Sequence, residues 1–430
     1  MMRYCVKAGE IINPAGEFNG IGDLLIEAGK IVAIGPDLPT EDAQIISATG
    51  KIVCPGLIDV HSHLREPGRE DKETIASGTK AAVKGGFTAV ACMANTTPVA
   101  DTPAVIEYIR CKAAQAGWAK VYPVGAITKG LKGEELAEMG ELAAAGAVAF
   151  SDDGKTIMNT AVLRAAMEYS TLFGRPLLLH QEDPGLAGDG VMHEGYWSMV
   201  LGLPGIPALA ESTVIGRDLQ LAEFTGAKVH LCHVTAARSV ALLRAAKARR
   251  FAVTAEVTPH HFSLTDELLQ DYNPVYRVSP PLRSAADVAA LKAGLQDGTI
   301  DIIATDHAPH TQEEKHREFS LAATGMIGFE TALAVAWTEL VRPGWLTKPE
   351  LVEKLAVAPA RILNCPGGRL QPGGPADVTL FDPDREWEVR PDELLSKSQN
   401  SPFIGRKLYG KVEAVWVDGT LKFCNEKFIE

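Results

Sequence analysis

A (β/α)8 TIM-like barrel, carrying a small β-sandwich built from both chain ends, is the fold this sequence predicts. Three observations predict it. Eight short apolar runs recur along the middle of the chain, separated by longer stretches of helical pattern. The two ends are instead rich in β-branched residues broken by glycine turns. The 11 histidines fall mostly where the apolar runs stop, not in surface loops and helices. Residues 55–365 are therefore expected to form the barrel, and residues 1–54 with 366–430 the sandwich.

The runs, in order, are "GLIDVHSH" (56–63), "TAVACMA" (88–94), "KVYPVGAI" (120–127), "AVAFSDD" (147–153) and "PLLLHQED" (176–183). They continue with "KVHLCHVT" (228–235), "FAVTAEVTP" (251–259) and "DIIATDHA" (301–308). Each is continuous, as strands buried on both faces should be. Helices are expected between them, among others over 72–86, 160–174 and 237–250. An open doubly wound sheet would need a glycine-rich phosphate loop after its first strand, and "HSHLREPG" is not one. At the ends, "DLLIEAGKIVAIG" and "AQIISATGKIVCPG" match "PADVTLFDPDREWEV" and "GKVEAVWVDGTLKFC" in character, and the two pairs are expected to share one sandwich.

Bulk properties exclude some functions. A formal charge of −12 over 430 residues argues against a nucleic-acid partner, which calls for a basic face. No apolar run reaches the roughly 18 residues of a membrane span. The start, "MMRYCVKAGEIINPAGE", lacks the apolar stretch of a signal peptide. Seven cysteines without a CxxC pair read as reduced thiols, and so as a cytoplasmic enzyme.

Chemistry on a barrel sits at the C-terminal strand ends. In "DVHSHLREPG" the residues His61, His63 and Arg65 alternate, so an extended backbone turns two imidazoles and a guanidinium the same way. That suits a site handling a metal and an anion. Asn95 lies just past the second run, Asp152 and Asp153 end the fourth, and His180 and His233 end the fifth and sixth. Asp306 ends the eighth, with His307 and His310 after it. Four imidazoles and two carboxylates can hold two divalent ions that share a carboxylate, and these donors suit Zn²⁺. Such a pair lowers the pKa of a bridging water toward neutrality.

"PGLIDVHSHLREPG", "GGFTAVACMANTTP", "FSDDG", "LLLHQED", "HLCHVT" and "TDHAPH" together resemble the amidohydrolase superfamily, and within it the dihydroorotase family of the longer bacterial type. The likeness runs through "ETALAV" (330–335) and "GGRLQPGGPADVTLFD" (367–382). It implies a metal-dependent enzyme of pyrimidine biosynthesis that interconverts (S)-dihydroorotate and N-carbamoyl-L-aspartate. By the resemblance, two Zn²⁺ per chain are bridged by Asp153 and a hydroxide. His61, His63 and Asp306 hold the first ion, and His180 and His233 hold the second. Asp306 is also the proton shuttle, while Arg65, Asn95, Ser279, His310, Thr324 and Gly325 contact the substrate. Many relatives bridge the metals with a modified lysine. Lys155 is the nearest lysine here, but "FSDDGK" matches the branch that uses aspartate. Three positions depart from the family pattern. Ser279 in "VSPPLR" replaces an Asn, Ala323-Thr324-Gly325 replaces Pro-Phe-Gly, and Ala94 stands where Pro is common. The first two touch the pocket that reads the ring. An allantoinase- or hydantoinase-like cyclic amidohydrolase is therefore the alternative, and an inactive scaffold for aspartate transcarbamoylase a second one. The resemblance is compatible with a homodimer and with a transcarbamoylase complex.

Other polar residues receive plainer expectations. Asp152 points away or bonds backbone. Cys232 alternates to the face opposite His233 and packs. His230 is a satisfied core residue. His260 and His261 support the ligands from behind, without binding metal. "TQEEKHREF" (311–319) is a lid over the site or a solvated connection.

Overall fold

From Arg3 to Pro55 the chain forms five strands: β1 (Arg3–Ile11), β2 (Gly20–Glu27), β3 (Lys30–Gly35), β4 (Gln44–Ser47) and β5 (Ile52–Pro55). The structure, a computed structural model, describes residues 3–250 and 252–429. Phe251, the first residue of one expected strand, lies outside the described residues, as do the outermost residues of the expected sandwich. β2 and β3 are joined at Ala28-Gly29, both at positive φ (50° and 82°), which is the geometry a tight two-residue hairpin requires.

Ten strands follow: β6 (Leu57–Ser62), β7 (Phe87–Cys92), β8 (Lys120–Gly125), β9 (Ala149–Ser151), β10 (Leu177–Leu179), β11 (Met192–His193), β12 (Gly205–Ile206), β13 (Val229–Leu231), β14 (Val253–Val257) and β15 (Ile302–Ile303). β11 and β12 form a small separate ladder. The other eight are parallel neighbours in chain order, β6 through β15. The sheet closes where Ser62 bridges His307 and where Asp59 accepts hydrogen bonds from Thr305 N (2.9 Å) and Thr305 Oγ1 (2.6 Å). This is the expected barrel.

Its two faces are apolar for different reasons. Ile58, Val60, Ala89, Ala91, Val124, Leu178 and Ile302 fill the interior, while Leu57, Phe87, Val90, Phe150, Leu177 and Val229 face the helices. Each such large side chain contributes roughly 1.5–3 kcal/mol on burial. The helices Ile75–Lys84, Thr160–Thr171 and Ala237–Ala248 lie within the spans expected for them. The first starts at a capping box, Thr74 with Ser77, and buries Ile75, Thr79, Ala82 and Val83 on one face. Among the described residues, no helix is long and apolar enough to cross a membrane.

The chain then returns to the first sheet as β16 (Val378–Glu388), β17 (Lys407–Val417), β18 (Thr420–Cys424) and β19 (Lys427–Phe428). β16 pairs antiparallel with β5, so strands from both ends share one nine-stranded sheet. The sheet curls until its halves meet. Tyr4 packs edge-on to Trp416 with centroids 6.1 Å apart. The β2–β3 turn abuts the β17–β18 turn so closely that a Cβ on Gly419 would lie 2.5 Å from Gly29 Cα. Between β16 and β17 the chain leaves this sheet and reaches back to the loops at the barrel mouth.

Candidate active site

The ladder of β6 with β7 slips between Asp59 and Ser62, and this bulge turns His61 and His63 inward above the interior residue Val60. His63 Nε2 lies 2.9 Å from Asp306 Oδ1 and 3.5 Å from Asp153 Oδ2. His61 Nε2 lies 3.4 Å from Asp153 Oδ2 and 3.5 Å from Asp306 Oδ1. On the other side, His180 Nδ1 and His233 Nε2 are each 3.3 Å from Asp153 Oδ1 and 3.0 Å from one another. Each oxygen of Asp153 thus faces a different pair of imidazoles. The ligand atoms of His61, His63 and Asp306 lie within 4.8 Å of one another, as do those of Asp153, His180 and His233.

Two partners orient the first pair. His61 Nδ1 donates to Glu256 Oε1 (2.5 Å) and His63 Nδ1 donates to Asn95 Oδ1 (2.9 Å), which turns both Nε2 atoms toward the carboxylates. Glu256 was not singled out in the sequence. It also accepts from His230 Nε2 (2.9 Å), and His230 Nδ1 is 2.8 Å from Thr254 Oγ1. His230 is satisfied, as expected, but by a chain that leads to His61. Cys232 packs in the core, as expected, but not on the opposite face. Its sulfur lies within 4.8 Å of the ligand atoms of His61 and Asp153, inside the barrel. His230 in β13 and Cys232 just past its end alternate inward, and then His233 adopts φ 33°, which breaks the alternation and brings a second consecutive side chain inward.

The electrostatics fit a cation. Burial pushes the Asp153 and Asp306 carboxyls up, but His61 and the other facing imidazoles outweigh it and hold both well below the ordinary range. Burial pushes His61 down, yet Asp153, Glu256 and Asp306 raise it well above the usual imidazole value. His233 is raised too, mainly by Asp153 against the cost of burial. Protons on these rings stand where a metal would balance the carboxylates. His61 Nε2 is buried and makes no hydrogen bond, which places it for a ligand bond once its proton is displaced. These donors suit a metal cofactor.

Around this centre lie the residues expected to touch substrate. Arg65, at φ 63°, donates from Nε to Pro309 O (3.1 Å), and its Nη2 is 3.3 Å from His310 Nε2. His310 Nδ1 is 2.8 Å from Glu314 Oε2 and its Nε2 is 2.9 Å from Thr324 O. Burial and the Arg65 charge push His310 down to about 3. Gly325 sits at φ 147°, where a Cβ would lie 2.9 Å from Ala308 Cβ and 3.0 Å from His310 Cδ2, so a side chain here would crowd the pocket. Ser279 belongs to the segment whose Arg277 O accepts from Gly325 N (3.0 Å).

The remaining expectations sort as follows. Asp152 bonds Ile127 N and Thr128, and Lys155 is exposed. His261 Nε2 donates to Pro280 O (2.9 Å), steadying the neighbour of Ser279. Neither His260 nor His261 joins a ligand group among the described residues. Residues 311–319 contain the short helix Gln312–Lys315, whose Glu314 pairs with Lys72 (2.7 Å) and Arg69 (3.0 Å).

Comparison with known proteins gives a consistent result. A family model described as Dihydro-orotase-like matches residues 50–239. The chain is 53% identical over 418 residues to the dihydroorotase of Pelotomaculum thermopropionicum, covering 97% of this chain and 98% of that one. It is 51% identical over 416 residues to the dihydroorotase of Acetivibrio thermocellus, with coverage of 97% and 98%. Among solved structures, the L-hydantoinase (dihydropyrimidinase) from Arthrobacter aurescens superimposes with a TM-score of 0.89 at 25% identity, covering 100% of this chain and 98% of that one.

Proposed function

The chain belongs to the dihydroorotase family of cyclic amidohydrolases, and from that premise we propose how its residues carry the reversible hydrolysis of (S)-dihydroorotate to N-carbamoyl-L-aspartate. The single observation that carries the reading is the split of Asp153, one oxygen toward His180 and His233 and the other toward His61 and His63. That split supports two ions per chain, with Asp153 shared between them, His61, His63 and Asp306 on one, and His180 and His233 on the other. Nitrogen and oxygen donors support zinc. When bound, such ions supply Lewis acidity at the carbonyl and a water acidified toward neutral pH.

The chain's own groups do the rest. Asp306 accepts the proton of the attacking water and returns it to the departing ring nitrogen. Arg65 offers a planar pair of donors to the substrate carboxylate, which a lysine could not match. Asn95, with its oxygen committed to His63, turns its amide N–H groups to the same carboxylate, and His310 closes the other side. Ser279, Thr324 and Gly325 line the ring edge, Gly325 by carrying no side chain there, and residues 55–365 carry this machinery beside the sheet of residues 1–54 and 366–430. Seven free cysteines support a cytoplasmic setting. The family resemblance supports a homodimer and a complex with aspartate transcarbamoylase, which size-exclusion chromatography of the chain alone and with the transcarbamoylase tests.

A hydantoinase-like activity is the second reading, favoured by the hydantoinase superposition and by Ser279 and Thr324 at the ring. One assay separates the two. Purified protein with its metal counted is offered dihydroorotate, hydantoin and allantoin at equal concentration. Turnover of dihydroorotate above the others is expected, and preferred turnover of hydantoin or allantoin overturns the assignment.

A further inference from the structure

We propose that Asn400, on the segment joining β16 to β17, is a positioning residue for the substrate pocket, holding His310 and Gly325 in register from outside the barrel. The inference rests on the pocket reading given above. Asn400 is buried and uses both donors and the oxygen of its amide. Nδ2 donates to Ala308 O (3.1 Å) and to Gly325 O (3.1 Å), and Oδ1 accepts from His310 N (3.3 Å). Its backbone carbonyl accepts from Ile327 N (3.2 Å).

The two loops it spans already pair through Ala308 N and Met326 O (2.8 Å). Past that contact they run on toward the pocket, and Asn400 ties them there. Lys315 completes the knot. Its Nζ donates to Arg277 O (3.1 Å), Ala323 O (2.9 Å) and Gly325 O (3.1 Å), linking the Ser279 segment to the same carbonyl that Asn400 holds. The strap is anchored upstream as well. Ser396 bonds Glu73, which lies 3.3 Å from His307, and Ser398 Oγ donates to Lys72 O (2.9 Å). Deleting the Asn400 amide leaves Ala308 O and His310 N unpaired in a buried place and Gly325 O held by Lys315 alone, so the loops must shift to satisfy them. The two Asp153-centred groups of imidazoles make no bond to Asn400.

Asn400→Ala and Asn400→Ser are compared with the native holoenzyme, with Arg65→Met in parallel. Steady-state kinetics on dihydroorotate, metal content and melting temperature are measured for each. Asn400→Ala is expected to raise KM about ten-fold while kcat changes less than about three-fold, with metal content unchanged. Asn400→Ser, which retains one donor, recovers part of the loss and serves alone if the alanine variant does not fold. A lower melting temperature with KM unchanged, or a loss confined to kcat, overturns the inference. If Arg65→Met raises KM and neither Asn400 variant does, only this inference falls. If Arg65→Met leaves KM unchanged, the pocket reading falls and takes this inference with it.

Discussion

Three of the proposed site residues hold left-handed backbone: Arg65 at φ 63°, His233 at 33° and Asp306 at 45°. A non-glycine residue pays about 1–3 kcal/mol for such a conformation, and it persists where the surroundings demand a particular side-chain direction. Asp306 shows what the strain secures, since its carboxylate meets both His63 and His61. Asp306→Asn keeps the shape and removes the proton acceptor. It should lower kcat by about 10²–10⁴ with a much smaller change in KM, read by steady-state kinetics on protein whose metal has been counted. A loss of kcat no greater than the loss of metal would make Asp306 a ligand only. The donors at the strand ends were legible because each directly follows an apolar run. Cys232 was misread because alternation was carried through His233, whose φ breaks it. Asn400 and Lys315 were invisible because their partners are brought near only by the fold.

At the scale of elements, the strands read as continuous apolar runs, yet the ladders are shorter than the runs. Of the run 301–308 only β15, Ile302–Ile303, is laddered. The residues after it keep only isolated bridges, His307 with Ser62 and Met326, and set Asp306 and His310 at the mouth. Buried polar links take over where the ladder stops or thins, and the chain His61–Glu256–His230 joins β6, β14 and β13 across the interior. Glu256 was not legible, because one glutamate inside an apolar run does not show which imidazoles of other strands it meets across the interior. Burial pushes Glu256 up, but the facing His61 and His230 outweigh it and hold the carboxyl down at about 2. Glu256→Gln should therefore weaken metal retention by about 10–100-fold, measured by competition with a chelator, while circular dichroism stays native. Unchanged retention would make the link purely a packing device.

For the whole molecule, the same groups set a pH profile. Glu256 is depressed from an ordinary 4.5 to about 2, so its contribution is complete above about 4.5 and lost as pH falls through about 2. Asp153 and Asp306, held low, act in the same direction. His61 and His233 are raised from 6.5, so their contribution is complete below 6.5 and lost as pH climbs through the raised values. His310, lowered from 6.5 to about 3, and His260, lowered to about 4, contribute fully above 6.5 and lose this as pH falls. Metal-free protein should then melt highest in a window around pH 6.5. Loaded protein should hold its melting temperature above that window, because the ions displace the ring protons. Thermal scans with and without chelator from about pH 3 to 9 check this, and identical profiles would sever the link between the site and stability. The shared sheet has an effect in time as well. β5 cannot find β16 until Val378–Glu388 has left the ribosome, long after β5 itself. Throughout synthesis the newborn amino-terminal strands therefore wait with an open edge and an uncovered greasy side, and a stalled or shortened translation product leaves them that way, inviting aggregation before any catalyst exists.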